Sequence, residues 1–261
     1  MVPAVLPERD IRVLRSALPG RDWARELGAA AQVVKAGVRD GVWRIEAGIV
    51  KCSALDDARR RVQHATRTGR AWRFWRGAAW LRERGFLAPR PLAILRGWSD
   101  AGAVEAVVAS YVPGTPLIRV LASGAFEGRR LPARAQHALA RELGAQARRL
   151  SSLGRFNQDH KPSNLIVTRA DEWGAEVAIV DCIAVRRGMG PRSLARMLAC
   201  LVIEPTGLGC RTRRSLEARC LAEACPDREE RRRLAREVAR LVRAQKNPVP
   251  KDNPLVQQVG S

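Results

Sequence analysis

The sequence predicts an α+β chain in two parts, a small antiparallel sheet with one long helix followed by a mainly helical part. Three observations carry this expectation. Short apolar runs at 31–36, 42–47 and 49–55 are joined by turns containing Gly41 and Gly48, the pattern of a meander. Past Pro113-Gly114 the spacing becomes helical, and Ala138, Leu139, Leu143, Ala147 and Leu150 share one face of a helix that starts at Pro132. No apolar run approaches the ~18 residues of a membrane span, so the elements must bury their faces against one another. With 261 residues and 46% hydrophobic content, the chain is long enough to build substantial cores.

Taken in order, residues 10–17 and 22–30 form two short amphipathic segments parted by Pro19-Gly20. After the meander, residues 56–85 read as one long helix. Trp72, Trp75, Ala79 and Leu81 lie among its apolar positions, and Gly85 is its stop. Strand-like runs at 89–95 and 104–112 would complete a five-stranded sheet, and Pro113-Gly114 would end it. Residues 1–112 are therefore expected to form one lobe and 113–246 a helical lobe. Further helices are expected at 192–204, 212–224 and 227–245, the last with acids in its first turn and many arginines beyond it. Residues 247–261, rich in proline and polar residues, read as a disordered tail.

The chain is strongly basic, with a formal net charge of +21. Nearly all of the excess is arginine, since the only lysines are Lys35, Lys51, Lys161, Lys246 and Lys251. An arginine- and alanine-rich composition is what a GC-rich genome produces, but such a surface also attracts polyanions, meaning nucleic acid, anionic lipid headgroups or a nucleotide. No specific nucleic-acid motif accompanies the charge. A lysine retained in an arginine-dominated chain points to a need for ammonium geometry. The cysteines Cys52, Cys182, Cys200, Cys210, Cys220 and Cys225 contain no C-x-x-C pair and are expected to be reduced, core-filling thiols. The first residues lack a basic segment followed by an apolar core, so a cytoplasmic location is expected.

The segment with the most chemical content is Asn157-Gln-Asp-His-Lys-Pro-Ser-Asn164, which runs into the apolar stretch Leu165-Ile-Val167. A second apolar run, Val177-Ala-Ile-Val180, delivers another acid at Asp181. An acid, an amide five residues later, a strand, and an acid closing a second strand supply residue types that phosphoryl transfer can use. One carboxylate meets the attacking hydroxyl, while an amide oxygen and a second carboxylate hold magnesium on the phosphates. Read locally, the same residues could be a polar turn whose Asp159 and Asn164 bond nearby backbone.

This arrangement resembles the D-x-K-x-x-N catalytic loop and metal-binding aspartate of the protein-kinase-like superfamily. By that resemblance Asp159 is the catalytic aspartate and Lys161 the lysine near the transferred phosphate. Asn164 and Asp181 are then the magnesium ligands, and Lys51 in the third meander strand is the lysine that binds ATP. The pattern departs from signalling kinases, because Asn157-Gln158 stands where they have His-Arg and Cys-Ile follows Asp181 where they have Phe-Gly. The stretch from Gly69 to Gly85 and the following Ala-Pro-Arg-Pro-Leu-Ala are similar to the inner-core heptose and Kdo kinases of lipopolysaccharide synthesis. In those proteins a helix reading R-A-x-x-E-W carries the glutamate that pairs with the ATP lysine. Here Phe74 occupies that position, and Glu83 lies too far along the helix, by about 13 Å of rise.

The resemblance implies a bilobal protein-kinase-like fold and an ATP- and magnesium-dependent kinase. Its acceptor would be a sugar hydroxyl of an anionic glycolipid, and the basic surface would dock peripherally on an anionic membrane face. Two alternatives remain open from the residues. Phe74 and the absence of G-x-G-x-x-G fit a nucleotide-binding pseudokinase, and the helical part does not exclude a protein or a small molecule as acceptor.

Overall fold

The computed structural model describes residues 11–28, 32–35, 40–99, 102–188, 190–210 and 212–245. The expectation for the tail at 247–261, and most of the first meander turn, lie outside these residues. The chain divides into two compact units, Met1–Tyr111 and Val112–Ser261.

The first unit is built on a six-stranded antiparallel sheet. Its strands are β1 (Arg12–Ser16), β2 (Gln32–Lys35), β3 (Asp40–Ile45), β4 (Gly48–Ala54), β5 (Pro91–Ser99) and β6 (Gly102–Ala109), in the order β1-β5-β6-β4-β3-β2. The five-stranded expectation is thus short by one. The first amphipathic segment is an edge strand, β1, paired with β5. Its alternation of exposed and half-buried residues suits an edge with one covered face. The second segment forms the short helix α1 (Trp23–Gly28).

Each face of this sheet has its own cover. Val50 of β4, Ala93 and Leu95 of β5, and Val104, Ala106 and Val108 of β6 join Trp23 and Leu27 of α1 in one buried cluster. Side chains alternate along a strand, so Lys51, Ile94 and Val107 project from the opposite face. There, β5 and β6 pack against the helix α3 (Arg70–Glu83), whose Phe74, Ala78 and Leu81 are buried.

The single helix expected over 56–85 is two helices, α2 (Ala58–Ala65) and α3. Three local features part them. Arg67 adopts a left-handed φ of 56°, and Thr66 Oγ1 donates back to Val62 O at 2.9 Å. Gly69 then occupies the N-cap of α3, where an added Cβ would meet the Glu105 carboxylate at 2.9 Å. Hydroxyls that bond nearby backbone compete with helix continuation, which the apolar periodicity of the segment does not reveal. The expected stop holds, with Gly85 at φ 72° just past the C-cap.

The second unit opens with β7 (Thr115–Pro116), α4 (Leu117–Ser123) and a small hairpin, β8 (Ala125–Phe126) and β9 (Arg129–Arg130). Before β7, Gly114 sits at φ +134°, and an added Cβ there would meet Ile166 and the Val167 backbone. Helix α5 (Ala133–Ser152) follows Pro132 and buries Ala138, Leu139, Leu143, Ala147 and Leu150, the stripe its periodicity predicts. Next come β10 (Arg155–Asn157), β11 (Leu165–Ala170), β12 (Ala175–Ile179) and β13 (Val185–Arg187). They form a three-stranded sheet in the order β12-β11-β7 and a separate β10-β13 pair. Helices α6 (Pro191–Gly207), α7 (Arg214–Ala224) and α8 (Arg228–Ala244) complete the unit, within a few residues of the three helices expected. Gln146 of α5 ties this helical layer to the sheet by donating to Val177 O at 2.8 Å. Among the described residues no helix is long and apolar enough to cross a membrane.

Candidate functional site

The second unit gathers three of the residues singled out by the sequence onto one loop. Strand β10 ends at the buried Asn157, and the chain crosses to β11 through a 3-10 turn at Pro162–Asn164. Asn157 Oδ1 accepts from the Asp159 N–H at 3.1 Å, an Asx turn that fixes where the Asp159 side chain leaves the backbone. Asn164 Nδ2 donates to Asp159 Oδ2 at 2.9 Å and to Asp159 O at 3.0 Å. Lys161 Nζ lies 3.2 Å from the same Oδ2. One carboxylate oxygen is thus held by an amide and an ammonium on a half-exposed loop, which leaves Oδ1 to meet an incoming group.

Asp181 is brought to the same end of the β11-β12 hairpin by register. Leu165 pairs with Ile179, and the Val180 N–H then donates to Asn164 O at 3.0 Å. Asp181 follows directly and opens a short 3-10 turn. Since Asn164 spends its NH2 on Asp159, its Oδ1 is the atom it can offer a cation. An amide oxygen and a carboxylate at one hairpin end are hard oxygen donors of the type magnesium takes when substrate phosphates and water complete its shell.

Two residues that the sequence reading did not single out hold this loop from below. Glu204, buried on α6, accepts from Ser163 N at 2.7 Å and from Ser163 Oγ at 2.6 Å. The sequence signal was an acid inside the apolar run Leu201-Val-Ile-Glu204. His160 is fully buried inside the loop, and burial lowers its pKa from the usual 6.5 to about 4. Its Nδ1 lies 3.5 Å from Asn157 Nδ2, while Nε2 has no hydrogen-bond partner among the described residues. The ring is therefore a buried, neutral side chain at the root of the loop.

Lys51 lies in the first unit, on β4 opposite Val107 of β6. On α3 it meets an aromatic ring, with its Nζ 5.0 Å from the centroid of the buried Phe74. The α3 residue turned toward this lysine therefore presents it with a π face.

No family model matches this chain, and no curated protein matches it in sequence. Among solved structures the chain is similar to one described as WaaP in complex with acyl carrier protein. The TM-score is 0.57 and the identity 17%, over 89% of this chain and 90% of that one. The chain has the protein-kinase-like fold in the form WaaP takes, a small antiparallel sheet unit followed by a mainly helical one. As many as 1320 solved chains match this one in the structural comparison, and a fold does not by itself choose a substrate.

Proposed function

We propose that this protein is an ATP- and magnesium-dependent phosphotransferase acting on a sugar hydroxyl of the lipopolysaccharide core or a related glycolipid. The observation that carries this reading is the cluster on the β10-β11 loop, where Asn164 and Lys161 converge on one oxygen of Asp159. Asp159 would orient the acceptor hydroxyl and take its proton through its other oxygen. Lys161 would stabilise charge on the phosphoryl group in flight. Asn164 and Asp181 would hold magnesium, which when bound neutralises charge on the transferring phosphates. Lys51 would hold the α and β phosphates. The basic surface would seat the enzyme on an anionic glycolipid at the inner face of a membrane.

The test begins with nucleotide binding. Millimolar ATP with magnesium should raise the melting temperature by mass action, and transfer of a labelled γ-phosphate to core oligosaccharide should depend on Asp159. Absence of a thermal shift, with titration calorimetry in agreement, would remove both the catalytic and the nucleotide-sensing readings.

A second reading, a nucleotide-binding protein without turnover, is favoured by one observation, the Phe74 ring facing Lys51 at the α3 position where the resemblance expects an acid. It requires binding without transfer across sugar, peptide and small-molecule acceptors. A further partner is suggested by a cavity of about 360 Å³ in the second unit, lined by Leu117, Leu139, Leu143, Leu198 and Leu216 with Arg130 and Arg213 also in its wall. A largely apolar cavity whose wall holds Arg130, Arg213 and the acid Glu217 suits an acyl chain, and the similar solved structure holds an acyl carrier protein. Co-purification with acylated but not with apo carrier protein would support that partner.

A further inference from the structure

The sheet face beneath α3 carries an acid that the first unit uses three ways. Glu105 lies on β6 and is 2% exposed. Its Oε1 accepts from the Ala71 N–H at 2.8 Å, in the first turn of α3. Its Oε2 lies 2.5 Å from His64 Nδ1, on α2. Gly69, the N-cap of α3, has no side chain with which to cap the helix, and a Cβ there would press on this same carboxylate. Glu105 thus replaces the missing cap from outside the helix. A carboxylate at a helix N-terminus is favourable both for the orphan N–H groups and for the helix dipole, more so when buried.

Register relates this acid to Lys51. Across β4 and β6, Lys51 pairs with Val107 and Ser53 with Glu105. Paired residues project to one face, so Lys51 and Glu105 are diagonal neighbours on the face that α3 covers, with Cβ atoms about 7–8 Å apart. Helix α3 meets this face at two successive stations, Ala71 on Glu105 and Phe74 on Lys51. These positions are three residues apart and so stand on one side of the helix. Arg96, opposite Glu105 on β5, adds a cation to the same face. At the N-terminal end of α3 a second, exposed tie joins Arg70 to Asp40 of β3 at 3.3 Å.

Resting on the reading of Lys51 as the lysine that holds the nucleotide phosphates, we infer that Glu105 is a positioning residue for that site. The acid that anchors α3 to the sheet is on the strand, so Lys51 is set by Glu105 through the helix and steadied by Phe74. This anchor is buried within its unit and ties strand, α2 and α3 together.

The test combines one structural and one binding readout on the full chain. Glu105→Gln keeps an acceptor for Ala71 N–H but removes the charge, and Glu105→Ala removes both. Hydrogen exchange of the first-turn amides of α3 is compared with that of α5, which serves as the internal reference. Mg-ATP affinity is titrated well below the melting temperature of each variant. First-turn exchange should rise at least about tenfold and affinity should fall about tenfold in Glu105→Ala, with Glu105→Gln between it and the wild type. Adding Phe74→Glu to Glu105→Gln should restore part of the affinity by returning an acid to the helix. Should Glu105→Ala not fold, Glu105→Gln and His64→Gln carry the same comparison. Unchanged exchange, or faster exchange with affinity within twofold of the wild type, would overturn the inference. An unmutated protein that binds no Mg-ATP removes the nucleotide-site reading and this inference with it, whereas binding that survives Glu105→Gln, Glu105→Ala and His64→Gln removes this inference alone.

Discussion

Replacing Glu204 by alanine tests whether the candidate loop is held from α6. The substitution deletes the acceptor of two short bonds, from Ser163 N at 2.7 Å and Ser163 Oγ at 2.6 Å. Hydrogen bonds to a charged group contribute about 1.5–3 kcal/mol each. The two share one carboxylate and one donor residue, so their losses do not add fully, and about 3 kcal/mol is expected in total. For a unit of this size that corresponds to a fall in melting temperature of about 6–12 °C. Glu204→Gln should cost less, because its carbonyl can still accept from Ser163 N–H. Calorimetric unfolding of the wild type, Glu204→Ala, Ser163→Ala and the double variant gives the coupling directly, and it should exceed about 1 kcal/mol. The reasoning has a physical competitor, since desolvation of a buried carboxylate can outweigh its bonds. If Glu204→Ala melts within about 1 °C of the wild type, or above it, the anchor is not what holds the loop.

Other perturbations probe different parts of the same loop. Asp159→Ala should lower phosphotransfer by about three orders of magnitude or more while Mg-ATP affinity stays near the wild-type value, and Asp181→Asn should weaken Mg-ATP binding itself, both read by calorimetric titration beside a γ-phosphate assay. His160 has a folded pKa depressed to about 4 from 6.5, so the unfolded chain binds more protons between those values and stability rises with pH across this window. That linkage is worth about 3 kcal/mol at most, lost as pH falls through the window, and a His160→Leu variant should show a correspondingly flatter melting profile between pH 4.5 and 8. Gly114→Ala places a Cβ against Ile166 and the Val167 backbone at a φ that side chains rarely adopt, and should destabilise the second unit by more than about 1 kcal/mol in denaturant titration.

What was legible in the sequence follows from the range of the forces involved. Helix α5 was readable because its five buried apolar positions repeat at helical spacing and Pro132 marks its start. The β11-β12 hairpin was readable because two apolar runs each end on a polar residue with a chemical use, Asn164 before one and Asp181 after the other. The break between α2 and α3 was not readable, since residues 56–85 keep helical spacing throughout. What stops the helix is partly local, in the hydroxyls of Thr66 and Thr68, and partly a carboxylate 36 positions away from Gly69, in Glu105. Strand β1 was hidden for a related reason, because an edge strand buries little of itself and shows only a weak alternation. The support that Glu204 gives the candidate loop comes from a pairing with Ser163 41 positions away, of which the sequence shows only an acid in an apolar run.

The same contrast bears on Phe74, which stands where the resemblance expects the acid that pairs with Lys51. Loss of function would leave nothing to hold the helix at that point, and the contact there would be free to drift toward ordinary core packing. Instead the ring lies over the Lys51 ammonium, and an acid one turn back along α3, supplied by the sheet, takes the helix N-terminus. A cation over an aromatic face gains up to about 2 kcal/mol when desolvated, and the ring does not compete with an incoming phosphate as a carboxylate does. The Lys51 ammonium thus meets the Phe74 ring on the sheet face that α3 covers. Substituting Phe74 by leucine therefore discriminates between the two views. If the ring steadies the lysine, the loss of the π face should weaken Mg-ATP binding several-fold, in addition to the loss of stability that a smaller side chain brings at a fully buried position. If the position is only core, affinity should not move and only stability should shift.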